Sequence, residues 1–153
     1  MNSCQIIEFE DQYKDVFKAL NAEWLEHYNL MESHDLEILS DPRKTILETG
    51  GAIYLAKSDE HIVGSAALMK EHDDVYELVK MAVAKEYQKM GISRMLLTTC
   101  LDKARELKAS KIVLFSNHQL KAALVLYEKY GFKYIPVEHS PFLTADIKME
   151  LVL

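Results

Sequence analysis

The spacing of apolar residues between Val75 and Phe115 constrains the fold more than any other feature of the chain. Val75 to Val83 reads as a strand of period two. Met95, Leu96, Leu97, Cys100, Leu101, Ala104 and Leu107 then make one broad stripe of an amphipathic helix. Lys111 to Phe115 (KIVLF) follows as a short continuous apolar run, the pattern of a strand covered on both faces. The architecture therefore centres on a strand–helix–strand unit.

The flanks extend it in both directions. Gln5 to Phe9 predicts a first strand, and Tyr13, Val16, Phe17, Leu20, Trp24, Leu25 and Tyr28 predict a helix after Asp11. Ser33 can cap a short helix through Leu39. Asp41-Pro42 can start another that Gly50-Gly51 stops. Ala52 to Ala56 and Ile62 to Leu68 predict a hairpin turning at Ser58-Asp59-Glu60, so residues 52–83 form an antiparallel meander. Leu120, Ala123, Leu124 and Tyr127 predict a further helix ended by Gly131, before strands at Phe132 to Ile135 and Ala145 to Leu151. The class is α+β.

The 153 residues fit one domain, 1–153, with enough chain for a core that needs no metal or disulfide. No apolar run reaches membrane-spanning length, and MNSCQIIEFEDQYK lacks the pattern of a signal peptide. Cys4 and Cys100 sit far apart in apolar contexts, as buried free thiols do in a reducing compartment, and the expected location is cytoplasmic. A net charge of -6 argues against a nucleic-acid partner. The charge is uneven: residues 1–50 carry eleven acidic and four basic side chains, whereas residues 85–111 carry seven basic and three acidic. The basic segment offers a place for an anion, and solvated surfaces of random sign give the same pattern.

Within it lies Gln88-Lys89-Met90-Gly91-Ile92-Ser93, at the junction of the Val75–Val83 strand with the next helix. A helix start presents unpaired N–H groups, and glycine lets a phosphate approach them. The stretch is neither a Walker A loop nor a Rossmann fingerprint. By itself it is equally a plain helix start with Gly91 in a tight turn.

In sequence, ELVKMAVAKEYQKMGISRMLL, then KIVLFSN and AALVLYEKYGF, resembles the GNAT superfamily of acetyl-CoA-dependent N-acetyltransferases over about Val75 to Pro136. Ser93 stands where that family's Q/R-x-x-G-x-G/A loop prefers glycine or alanine, and Leu120 where many members have asparagine. The resemblance implies a three-layer α/β/α fold with a mixed, mostly antiparallel central sheet. It implies that Gln88, Lys89, Met90, Gly91, Ile92, Ser93 and Arg94 bind the pyrophosphate of acetyl-CoA. It also implies that the backbone of Met81, Ala82 and Val83 pairs with the pantetheine arm. Asn117, three residues before Leu120, is a further candidate contact to that arm.

Two residues are candidates for the chemistry. The place of Tyr127 in LYEKYGF implies a general acid for the leaving thiolate, although an aromatic on its stripe is also what a packed core produces. Glu77 would share a face with Val75, Val79, Met81 and Val83 if the strand alternates throughout. A carboxylate there has the profile of a general base with a raised pKa, or of a solvated edge residue, and a bulge in the strand would move it. Trp24, Glu26 and Tyr28, with Glu23 and Glu32 nearby, are candidates for the lining of an amine site, a mixture that a solvated helix face also shows. The six histidines have no metal-ligand spacing, so no metal is expected. The implied activity is acetyl transfer to a primary amine of a small molecule or peptide by direct attack. Its alternative is a non-catalytic acyl-CoA-binding or regulatory module. No nucleic acid and no membrane is expected as partner, and a homodimer is compatible with the sequence.

Overall fold

The computed structural model describes residues 4–138 and 140–153. The first three residues and His139, which entered the expectations on a signal segment and on metal spacing, lie outside them. A seven-stranded sheet runs in the order β1-β2-β3-β4-β5-β7-β6. Its strands are β1 (Cys4–Glu8), β2 (Ala52–Ser58), β3 (His61–His72), β4 (Val75–Val83), β5 (Lys111–Ser116), β6 (Lys133–Ile135) and β7 (Ile147–Val152). Every pairing is antiparallel except β4 with β5. Helices α1 (Lys14–His27) and α2 (Ser33–Ser40) precede β2, while α3 (Ile92–Glu106) and α4 (Lys121–Lys129) flank β5 in sequence.

Two apolar clusters sandwich the sheet, which makes three layers. Phe17, Ile38, Leu39, Ile53, Leu55 and Val79 pack α1 and α2 on one face. Tyr54, Leu68, Leu96, Leu97, Ile112 and Met149 pack α3 on the other. Successive β2 residues go to opposite clusters, so the strand is buried on both faces and reads as an apolar run. Gly64 on β3 lets α3 come close, because a Cβ there would sit 3.1 Å from Leu96 and 3.2 Å from Ile92.

Two local expectations change. Glu32, not Ser33, is the N-cap of α2, in a reciprocal box with Asp35. The alternation expected from Val75 to Val83 also fails, because Lys80 adopts φ 54° and the register with β3 slips between Ser65 and Ala67. Lys80 and Met81 together oppose the single residue Ala66, which is a β-bulge. Glu77 therefore faces with Val79 toward α1 and α2, whereas Met81 and Val83 turn toward α3 and α4. The parallel pairing of β4 with β5 is short as well, spanning only Val75–Glu77 against Lys111–Val113. Beyond it the two strands part, and both cavities described next open at that fork.

Candidate active site

The stretch from Tyr87 to Arg94 is shaped by two left-handed residues, Lys89 at φ 63° and Gly91 at φ 82°. Gly91 is the N-cap of α3 and offers no side chain to cap it. The first helical bond is donated by Met95 to the Gly91 carbonyl, so Ile92, Ser93 and Arg94 keep N–H groups without helical acceptors. A Cβ built on Gly91 meets nothing within 4 Å, because that side of the residue is an open groove. The groove holds about 1080 Å³ of empty space, counting the part open to solvent. Lys89, Arg94 and Lys129 line it and no carboxylate does, so its field favours an anion. It continues along Met81, Ala82 and Val83 to Tyr127, and Trp24 and Tyr28 reach it from α1.

A second cavity, of about 770 Å³ on the same measure, lies on the far side of the fork. Leu78, Val79 and Lys80 from β4 face Leu114, Phe115 and Ser116 from β5 across it. Trp24, Leu25, Leu30, Phe142 and Thr144 also line it. Trp24, Met81 and Tyr127 line both cavities and so mark their junction. Tyr127 is buried, and its hydroxyl lies 3.8 Å from the Met81 sulfur. Burial, with the Cys100 thiol beside it, pushes its pKa well above the ordinary tyrosine value and keeps the phenol protonated.

Glu77 opens on the second cavity alone. Burial first, and the charge of Glu71 second, raise its pKa to about 7, against the pull of Lys80 and Lys148. It makes no side-chain hydrogen bond or ion pair among the described residues. The other charges are matched: Lys80 is paired with Asp35, each side chain only 4% exposed, and the ammonium sits 5.3 Å from the centre of the Phe142 ring.

A polar chain holds this arrangement. Asn21 of α1 donates to the Phe17 carbonyl and to the Ser65 hydroxyl, and Ser65 donates in turn to the Lys80 carbonyl at the bulge. Asp35 accepts from Lys80 and from the Glu32 N–H. The Glu32 carboxylate accepts from the N–H groups of Leu143 and Thr144, both at 2.8 Å, and from the Thr144 hydroxyl. Its partial burial would raise its pKa, but these bonds and the nearby His34 bring it below the usual value.

Most residues singled out in the sequence meet here. Trp24, Tyr28, Met81, Ala82, Val83, Gln88, Lys89, Gly91, Ile92, Ser93, Arg94 and Tyr127 line the cationic groove. Met90 belongs to the loop, but its side chain points outward and is 55% exposed. Asn117 lines the second cavity instead, its amide donating to the Thr144 carbonyl and accepting from the Gln119 N–H. Glu26 is exposed and lines neither cavity. Sequence reasoning missed Asp35, Lys80 and Phe142. A lysine inside an apolar strand was the available signal for the pair. Among the described residues no group of three or more His, Cys, Asp or Glu side chains could hold a metal ion.

Comparison with known proteins agrees with this geometry. The family model described as "Acetyltransferase (GNAT) family" matches residues 13–132. The chain is 31% identical over 115 residues to the uncharacterized N-acetyltransferase YvbK of Bacillus subtilis, covering 73% of this chain and 74% of that protein. In fold it is similar to a GNAT-family acetyltransferase from Staphylococcus aureus, with a TM-score of 0.88 at 22% identity over 97% of this chain and 98% of the other. It is also similar to the PaiA N-acetyltransferase of Thermoplasma acidophilum solved in complex with coenzyme A, with a TM-score of 0.76 at 16% identity over 99% of each chain. The chain belongs to the GNAT acetyltransferase family.

Proposed function

We propose that this acetyltransferase moves an acetyl group from acetyl-CoA directly to a primary amine of a small molecule or peptide. The observation that carries the reading is the meeting of two unlike cavities at Met81 and Tyr127. One has three cations and three unpaired helical N–H groups, which suit the phosphates of acetyl-CoA. The other has a carboxylate with a pKa of about 7, which suits deprotonation of an ammonium near neutral pH.

In this mechanism the backbone of Gln88 to Arg94 receives the pyrophosphate, and the segment of β4 left unpaired after Glu77 receives the pantetheine amides. Glu77, directly or through an ordered water, takes a proton from the ammonium. The neutral amine attacks the thioester carbon, and a free backbone N–H of β4 stabilises the oxyanion. The carbon–nitrogen bond forms first, giving a tetrahedral intermediate. The oxyanion then re-forms the carbonyl as the carbon–sulfur bond breaks, Tyr127 gives its proton to the departing sulfur, and the second proton of the attacking nitrogen restores the phenol. The two unpaired cysteines support a cytoplasmic setting.

The test is thiol release from acetyl-CoA with a panel of amines, run beside calorimetric binding of coenzyme A. Amine-dependent release is expected. Tight coenzyme A binding without release for any amine would make the chain an acyl-CoA-binding module.

A further inference from the structure

Resting on that proposed transfer, we infer that the acceptor is a primary monoamine with an apolar or aromatic body, and not an amino acid or a polyamine. The argument is an inventory of what the second cavity has left to offer a ligand. Three charged side chains line it: Asp35, Glu77 and Lys80. Lys80 and Asp35 face each other, nearly excluded from water, and the other Asp35 oxygen holds the Glu32 N–H at 2.9 Å. A ligand carboxylate would have to share the Lys80 ammonium with Asp35, close to Glu77, with no second cation lining the cavity.

The amide N–H groups also have partners. Asn21 is held by Phe17 and Ser65, and Asn117 by Thr144 and Gln119. The Thr144 hydroxyl is given to Glu32. A second ammonium would meet no second free carboxylate in the lining among the described residues, and an unpaired buried charge is costly. Among the described residues, Glu77 is the one charged group of the lining without a protein partner, and one ammonium satisfies it. The remaining walls are Trp24, Leu25, Leu30, Leu114, Phe115 and Phe142, which remove an apolar body from water.

The experiment uses pairs of amines that differ by one group: phenethylamine against phenylalanine, and hexylamine against cadaverine. Initial rates of thiol release and direct binding to the protein with coenzyme A, followed by NMR, are both read. Phenethylamine and hexylamine should exceed their partners by about 100-fold or more in kcat/KM. They should also bind more tightly, and Glu77→Gln should weaken their binding at least about tenfold. Phenylalanine or cadaverine matching its partner, or none of the four binding, would overturn the inference. Selective binding of the monoamines with no release would leave the inference standing and remove the proposed transfer.

Discussion

Tyr127 combines a buried ring, edged against Phe132 at 5.7 Å between centroids, with a hydroxyl at the mouth shared by both cavities. Removing only the oxygen separates these roles. Tyr127→Phe should lower kcat by about 10- to 1000-fold, the span of general acid–base contributions, with coenzyme A affinity nearly unchanged. Steady-state rates and calorimetry check this, and unchanged turnover would remove the phenol from the mechanism. In the proposed mechanism Glu77 sets the pH dependence. As base it must be ionised, so kcat/KM should rise with pH through about 7. Its folded pKa is raised above the unfolded value of 4.5, so the native state binds the extra proton and stability falls as pH rises from about 4.5 to 7. Glu77→Gln should therefore abolish that limb of the rate profile. It should also gain up to about 2 kcal/mol at pH 8, discounted because the residue is only half-buried, as urea titrations at pH 5 and pH 8 would show.

At the scale of elements, the bulge in β4 is held from two sides: the Lys80 carbonyl by Ser65, which Asn21 holds in turn, and the Lys80 ammonium by Asp35 at the start of α2. Asp35→Leu leaves a buried cation unmatched and should cost about 3–5 kcal/mol. Asp35→Leu combined with Lys80→Met should recover most of that loss, measured by urea unfolding of both variants beside wild type. Equal stability of Asp35→Leu and wild type would show that the ammonium finds water or another partner. The bulge also marks where the sequence stops being legible. Val75 to Val83 was visible as a strand to the residue, because apolar periodicity reports burial against the sheet's two neighbours. The slip at Lys80 depends on partners 15 and 45 positions away, Ser65 and Asp35, and no local pattern encodes those. The helix start at Gly91 was legible for the opposite reason: its open N–H groups come from consecutive residues after one glycine. Asn117, placed by analogy with a cofactor contact, went to the other cavity because Thr144 and Gln119 hold its amide there.

For the whole molecule, a cationic groove meets, at Trp24, Met81 and Tyr127, a cavity between β4 and β5 whose one unmatched charge among the described residues is a carboxylate. Binding in the groove links to folding. Coenzyme A at about 100 times its Kd should add about 2.7 kcal/mol and raise Tm by roughly 5–10 °C. Gly91→Val, at φ 82° with open space around it, should fold with a modest loss and show none of that shift in a thermal melt. A full shift in Gly91→Val would place the phosphates elsewhere. The carboxylate of Glu32 has a separate consequence for how the molecule comes together. Its partners lie 111 and 112 positions along the chain, and contacts that distant close after local ones because the intervening loop must first lose its freedom. On refolding, the loop at residues 87–94 should therefore form before the Glu32 contacts do, an order that pulsed hydrogen exchange reads directly.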